Sequence, residues 1–460
     1  MTLSPNNNIA EAFKILNDSY RTRQLLPLSA RRACLKIFLQ AIKDNEDLIF
    51  SALKEDLGRS CFESYVTEVA FIKSEINYAL KYMHRWSEPR SVSTPLVFLP
   101  GQSYVEPVPK GVVLIIAPWN YPFQLSLVPL ISAIAAGNCV IIKPSEIAQA
   151  SARIIEKLVH ENLDSRFFRV FTGDALIAQE LLDLPFNHIF YTGSTDVGRQ
   201  VMKKAAANLT PVTLELGGKS PVIIDENCNL ELAVKRIMWG KCLNAGQTCI
   251  APDYVLISPQ LINNFVDLAR NYIKDTYGPD VQKANFGRII NKRHTERLIS
   301  YLADGTIAMG GRFDRDNYYV EPTIIINIPE KASLMREEIF GPILPLVAIK
   351  NLDDAIAKIN NAPAPLALYI FSKSQENIKK IADFTNAGGI TINDCISHAG
   401  IIDLPFGGVG PSGMGSYHGQ FGFETFSHLR GVHKRANMLD NPLKYPPYTP
   451  QKLSLVRVVM

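Results

Sequence analysis

The chain reads as an α/β protein built from more than one unit, and three features of the sequence say so. Its 460 residues exceed a single core at roughly 150 residues per domain, which implies about three units. From Gly111 onwards, short uncharged runs that read as buried strands alternate with helical stretches, the pattern of β-α-β units on a parallel sheet. Between Ser87 and Pro109 the pattern turns extended and proline-punctuated, a ribbon suited to leave one unit and pair elsewhere.

Composition narrows the classes of function. At 47% hydrophobic and 20% charged the chain has the content of an ordinary globular protein. Lysine and arginine total 48 against 44 acids, a net charge of +4 without long basic runs, so nothing points to nucleic-acid or membrane partners. The seven cysteines, at 34, 61, 139, 228, 242, 249 and 395, form neither a C-x-x-C pair nor a cluster with histidine. That spacing fits reduced thiols better than a disulfide framework or a metal site. The N-terminus lacks the basic flank and apolar run of a signal peptide, and the expected compartment is cytoplasmic.

In chain order, apolar residues from about Ala10 to Leu53 recur at helical spacing and predict two amphipathic helices, and a further helix follows from Glu63 to about Trp86. These read as packing elements with nothing catalytic, although Tyr65 could reach a pocket. Gly111 to Ile142 carries no charged residue, yet Pro118, Asn120, Pro122, Pro129 and Gly137 interrupt it. It therefore reads as a strand Val112 to Ala117, a loop, a helix from about Gln124 and a strand Cys139 to Ile142, and not as a membrane span. The loop, Pro-Trp-Asn-Tyr-Pro, lies at a strand's carboxyl end, where open α/β sheets place ligands. Asn120 there either presents its amide to a developing oxyanion or makes a local turn hydrogen bond. Lys143 and Glu146, after the second strand, either hold ribose hydroxyls or are solvated helix-start residues with Ser145 as cap.

Strand-like Val170 and Phe171 end at Thr-Gly-Asp, a helix follows from Ala175 to Leu182, and a strand His188 to Tyr191 runs into Thr-Gly-Ser-Thr-Asp-Val-Gly-Arg. Gly193, the hydroxyls of Ser194 and Thr195, and a helix start running through Val197 and Gly198 make the best anion site in the chain. It is not an ATPase loop, because Arg199-Gln200 follows where Lys and Ser or Thr are needed. A literal G-x-G-x-x-G from Gly408 to Gly413 lacks the strand before and the helix after that a dinucleotide fingerprint requires.

Two strand-like runs between Val212 and Ile224 are joined by a double glycine. Glu215 sits among Val212, Leu214 and Leu216, apolar neighbours that raise a carboxyl pKa toward the range of a general base, unless it faces water from an edge strand. A helix from about Leu230 to Leu243, carrying Trp239, leads to Asn-Ala-Gly-Gln-Thr-Cys-Ile-Ala-Pro. Cys249 lies in this turn-forming segment, which suits a presented nucleophile; a lone cysteine is otherwise a small buried hydrophobe.

Pro-Trp-Asn-Tyr-Pro, Glu-Leu-Gly-Gly-Lys-Ser-Pro, Gly-Gln-Thr-Cys, Glu-Ile-Phe-Gly-Pro and Leu-Pro-Phe-Gly-Gly-Val-Gly, in this order, resemble the aldehyde dehydrogenase superfamily. The form Gly-Gln-Thr-Cys-Ile-Ala-Pro-Asp-Tyr and the ending Ser-Gly-Met-Gly-Ser-Tyr-His-Gly before Tyr-Pro-Pro-Tyr resemble its class 3 branch, the fatty, aromatic and coniferyl aldehyde enzymes. Pro411 and Ser416 depart from many class 3 relatives, which bears on the shape of the substrate entrance.

The resemblance implies a doubly wound, Rossmann-like cofactor domain over 1–210 with an arm segment 87–107. It further implies a catalytic α/β domain over 211–395, and a return to the cofactor domain with a C-terminal oligomerisation segment over 396–460. It implies Cys249 as nucleophile, Asn120 with the Cys249 N–H as oxyanion holder, and Glu215 as the base that activates water. Glu338 would hold the nicotinamide ribose with Phe340 beside the ring, and Tyr121, Trp239 and Phe406 would line a wide apolar aldehyde pocket. NAD is the expected cofactor, since Glu146 accepts a ribose 2′-hydroxyl and repels a 2′-phosphate; Lys143 beside it leaves NADP possible. A homodimer is implied. Class 3 members with a membrane tail extend beyond Tyr-Pro-Pro-Tyr, whereas Thr449 to Met460 is too short to span. The rivals are an acylating enzyme that transfers to coenzyme A, which lacks the glutamate; a thiol hydrolase, for which none of the eight histidines sits in a motif aimed at Cys249; and a non-catalytic protein on the same fold.

Overall fold

Strands that are apolar throughout must be covered on both faces, and this chain supplies the helices in alternation with them. The computed structural model describes residues 8–438 and 440–459. In chain order its strands are β1 (Arg90–Val92), β2 (Gly101–Pro109), β3 (Val112–Ile116), β4 (Cys139–Lys143), β5 (Phe168–Val170), β6 (His188–Thr192) and β7 (Val212–Glu215). There follow β8 (Pro221–Ile224), β9 (Tyr254–Ile257), β10 (Thr306–Met309), β11 (Phe313–Asp314), β12 (Tyr319–Val320), β13 (Thr323–Ile326), β14 (Ile343–Ala348), β15 (Ala367–Phe371), β16 (Gly389–Ile392), β17 (Gly413–Met414) and β18 (Ser427–Arg435).

The first sheet has the order β17-β7-β6-β3-β4-β5. The chain builds outward from β3 through β4 to β5, then returns to the other side of β3 for β6 and β7, all parallel. This is the doubly wound arrangement the sequence predicts. Strand order reverses between β3 and β6, and a crevice at their carboxyl ends is where such a sheet takes its ligand. The helix Pro122–Ala136 between β3 and β4 is buried on every side except at Gln124, which accounts for its lack of charge. Among the described residues no helix is long and apolar enough to cross a membrane.

The N-terminal part holds three helices, not two: Ile9–Arg21, Leu28–Asp44 and Glu46–Leu57. Pro27 is extended and cannot continue a helix, and Asn45, at φ −117° and ψ 19°, leaves the helical region between the second and third. The expected helix from Glu63 starts at Cys61 under the Ser60 hydroxyl and passes through a π turn, Tyr65–Val69, before Ala70–Trp86.

The second sheet has the order β10-β13-β14-β9-β8-β15-β16. The two strand-like runs joined by the double glycine belong to different sheets, β7 to the first and β8 to the second. The change of sheet therefore falls after Glu215, within Leu216 to Ser220, and not at residue 210. Beyond residue 396 β17 returns to the first sheet, where it pairs antiparallel with β7 and sets Gly413 opposite Glu215. The glycine-rich loop around Gly410 is thus a structural turn: Gly413 has φ 147°, and a Cβ there would lie 2.3 Å from the Leu214 carbonyl oxygen.

The proline-punctuated ribbon becomes β1 and β2, which with β18 form a separate antiparallel sheet. β2 and β18 pair along their whole length, from Pro109 opposite Ser427 to Gly101 opposite Arg435. Among the described residues no strand pairs with the outer edges of β18 and β16.

Because β3 lies between β4 and β6 and all its residues are buried, truncation there should act on the whole first unit. Ile115→Ala is expected to cost about 2 to 5 kcal/mol, read as a lower urea midpoint at unchanged slope.

Candidate active site

A cavity of about 250 Å³ opens at the reversal of strand order, where the carboxyl edge of the first sheet meets the segments that precede β9 and β14. Asn120 enters it from the loop after β3, Gly193 and Ser194 from the loop after β6, and Glu215 from the end of β7. Cys249, Glu338 and Phe340 face them from the second unit, and Phe406 and Tyr417 close one end. Five separated motifs thus meet around one cavity. A larger groove, about 620 Å³, runs between Tyr82, Trp86 and Phe423, but none of the motif residues lines it.

Cys249 is presented by a backbone in an unusual conformation. Asn244 (φ 52°), Ala245 (φ 51°) and Gly246 (φ 76°) are consecutive left-handed residues, a run that costs on the order of 1 kcal/mol or more at each non-glycine position. Side chains hold it in place. The Asn244 N–H donates to Glu63 Oε1 at 2.6 Å, and Asn244 Oδ1 accepts from Arg59 Nε at 2.8 Å. Gln247 Nε2 donates to the carbonyls of Asn244 and Arg288, both at 3.0 Å, while its Oε1 accepts the Ile290 N–H at 3.0 Å. The glutamine of Gly-Gln-Thr-Cys is therefore a rivet for the loop. Gly246 permits close packing on the neighbouring segment, since a Cβ would lie 2.3 Å from the Gly341 oxygen.

The Glu338-Ile-Phe segment is pinned from behind. Asp253 Oδ2 accepts the Ile339 N–H at 2.9 Å, and Arg297 donates to the carbonyls of Glu338 and Ile339 at 3.1 and 2.8 Å. Asn120 Nδ2 donates to the Gln247 carbonyl at 3.0 Å, a bond that uses one amide hydrogen and fixes the direction of the other.

The electrostatics follow from dryness. Glu215 is buried and neither carboxyl oxygen has a partner, so desolvation holds its pKa well above the ordinary carboxyl range. Its apolar neighbours act as the sequence predicts, and the register with Thr192 and Gly413 keeps it from solvent. Burial pushes the Cys249 thiol up, and the nearby Glu338 and Glu215 carboxylates push it further. The resting thiol is protonated at neutral pH, and a base must remove its proton before it can attack.

Other predicted positions fall less simply. Lys143 is buried at the end of β4 and pairs with Glu146 at 2.5 Å; neither lines the cavity. The Val197 N–H is already capped by Ser194 Oγ at 3.4 Å, and the Val197 side chain is 44% exposed. Gly198 packs under Leu216, whose Cδ2 lies 2.6 Å from where a Cβ would stand. Tyr121 is buried behind the cavity with its hydroxyl 2.6 Å from that of Thr248. Trp239 does not line this cavity: it stands on the outer face of the helix Leu230–Cys242 and is 44% exposed.

Sequence reasoning passed over Arg59, Glu63, Glu68, Asn244, Asp253 and Arg297. Charged residues on helices or in loops look alike in sequence whether they meet water or one another. His294 and Trp119 also line the cavity, with ring centroids 5.2 Å apart.

Buried polar atoms without partners mark what this cavity is built to receive. Glu338 Oε1, Thr192 Oγ1 and His294 Nδ1 are all orphaned, and all three residues line it. Such groups suit the hydroxyls and amide of a nucleotide cofactor, and the fit is good. Fold and site together fit an oxidoreductase, with a cysteine thiol beside a nucleotide crevice.

Comparison with known proteins agrees. Residues 1–432 match the aldehyde dehydrogenase family. The 4,4'-diaponeurosporen-aldehyde dehydrogenase of Staphylococcus aureus is 43% identical over 96% of this chain and 97% of its own length. The dimeric NADP-preferring aldehyde dehydrogenase of Mus musculus is 42% identical over 97% of this chain and 99% of its own. The substrate-bound structure of Staphylococcus aureus AldH superposes with a TM-score of 0.96 at 42% identity, covering 98% of this chain and 99% of that one. The chain belongs to the aldehyde dehydrogenase family and resembles its class 3 members along nearly its full length. It is an enzyme that oxidises aldehydes with NAD or NADP through a covalent cysteine intermediate.

Burial, reinforced by Asp253, lifts the Glu338 carboxyl to about 8, against ~4.3 in an unfolded chain. Between those values the folded protein keeps a proton that the unfolded chain has released, so this group makes stability fall as pH rises through that window. Glu338→Gln removes the effect. The cofactor-free variant should melt higher than the parent at about pH 8 and close to it at about pH 4.5; an equal gain at both values would contradict the assignment.

Proposed function

We propose that Cys249 is the nucleophile, Asn120 with the Cys249 N–H the oxyanion holder, and Glu215 the base that activates water. The observation that carries this reading is a buried Glu215 carboxyl, unpartnered among the described residues, lining the same cavity as the thiol. Desolvation favours the neutral carboxyl there, so Glu215 ionises and serves as a base once cofactor, aldehyde and water have changed its dry surroundings.

The Cys249 thiol gives up its proton to solvent, the thiolate adds to the aldehyde carbon, and the carbonyl π electrons move to oxygen, where two N–H donors meet the charge. The alkoxide collapses to a thioester as hydride departs. NAD or NADP, when bound, supplies the acceptor for that hydride. Glu215 then takes a proton from water as the water attacks the thioester carbon, the C–S bond breaks, and the carboxylic acid leaves with the thiolate restored. An apolar end formed by Leu125 and Phe406 favours medium-chain aliphatic or aromatic aldehydes, and a relative named for a diaponeurosporen aldehyde supports an apolar substrate.

On the cofactor side, Glu338 and Lys143 with Glu146 hold ribose hydroxyls, Phe340 stands beside the nicotinamide ring, and Gly193 to Gly198 takes the pyrophosphate. Lys143 already offsets the Glu146 charge, which supports use of both NAD and NADP. The unpaired outer edges of β18 and β16 support a homodimer assembled by strand addition, and a relative named as dimeric agrees. Seven free cysteines support a reducing, cytoplasmic setting.

Cys249→Ser should abolish aldehyde-dependent reduction of the cofactor. Glu215→Gln should still release one equivalent of reduced cofactor in a burst and then stall as the thioester, detectable as a mass increment on Cys249. Steady turnover by that variant would remove Glu215 from the mechanism.

Light scattering should return about twice the 51.2 kDa chain mass. A monomer at micromolar concentration would rule out the dimer.

A further inference from the structure

Two loops have to meet for this chemistry, and one side chain outside the cavity touches both. Arg59 is fully buried. Its Nε donates to Asn244 Oδ1 at 2.8 Å, Nη1 to Glu68 Oε1 at 2.7 Å, and Nη2 to the main-chain carbonyl of Asn120. The guanidinium carbon lies 4.5 Å from the Tyr121 ring centroid. Asn244 Nδ2 donates to the same Asn120 carbonyl at 2.9 Å, so Arg59 and the loop that carries Cys249 converge on one acceptor in the loop after β3. Glu68, brought inward on the π turn, accepts the N–H groups of Phe123 and Gln124 at 2.8 and 2.9 Å, which anchors the other end of the Asn120 loop. Neither Arg59 nor Glu68 lines the cavity.

We propose that Arg59 is a positioning residue that sets the separation between the Asn120 amide and the Cys249 sulfur. Its planar fork supplies donors in three directions at fixed angles, which a lysine ammonium on a flexible stem does not reproduce. It acts on the rate through Asn120 and not by touching the aldehyde. The inference rests on Asn120 being the oxyanion holder, and the experiment separates the two.

The variants are Asn120→Ala, Arg59→Lys, the double change Arg59→Met with Glu68→Gln, which removes both charges of the pair, and each Arg59 variant combined with Asn120→Ala. The readout is the single-turnover rate of cofactor reduction at saturating aldehyde and NAD, divided by the number of titratable Cys249 thiols, with NAD affinity measured alongside. Asn120→Ala should slow that rate on the order of 100-fold. Arg59→Lys should slow it about 10-fold and the double change on the order of 100-fold, with NAD affinity unchanged. In the Asn120→Ala background the Arg59 changes should cost less than about threefold more, because their effect passes through the missing amide. If Asn120→Ala leaves the rate intact, the oxyanion reading fails and takes this inference with it. If Asn120→Ala slows the enzyme but the Arg59 costs stay multiplicative, or the rate per thiol is untouched, the positioning role alone fails. Should the double change not fold, Arg59→Lys and its combination with Asn120→Ala decide the question.

Discussion

The buried ion pair of Arg59 and Glu68 is the constraint on which the active site depends. Both side chains are removed from water, and a charge in that position survives only where its partners are placed for it. Breaking such a pair from one side typically costs about 3 to 5 kcal/mol, so the segments it touches are held firmly. Those segments are the Asn120 loop, the start of the helix Pro122–Ala136 and the left-handed turn before Cys249. Local strain at Asn244 and Ala245 persists because this network leaves the turn no other arrangement with its polar groups satisfied.

The second constraint is where the chain passes from one sheet to the other. Gly217 lies against Glu338, whose Oε2 would stand 2.1 Å from an added Cβ. The crossing, the carboxyl end of β7 and the Glu338 segment therefore occupy one narrow place. The cavity there holds about 250 Å³ and is lined by the Glu215 and Glu338 carboxyls and the Cys249 thiol. Its dryness lifts Glu215, Glu338 and the Cys249 thiol together. One physical cause, desolvation, thus holds both carboxyls and the thiol in their neutral forms at rest.

The arm shows how a structural element can be read without its partner. Proline at 95, 100, 107 and 109 predicts an extended ribbon that avoids central strands, and the ribbon is there. That its other half comes from Ser427–Arg435 follows from pairing between segments far apart in the chain, which no local pattern encodes.

By itself the sequence determined the β-α-β succession, the carboxyl-end loops that carry Asn120 and Gly193, the apolar setting of Glu215 and the turn-forming segment around Cys249, because each depends on residues within a few positions of one another. It also named the family through five ordered motifs. Only the tertiary structure decided that β7 and β8 part into different sheets, that Val197 loses its N–H to Ser194, that Trp239 faces outward, and that Arg59 and Glu68 are internal. The reason is the same in each case. Burial of a charge, the direction of a side chain and the pairing of a strand are set by whatever arrives from elsewhere in the chain, and a run of sequence that meets water is written with the same letters as one that does not.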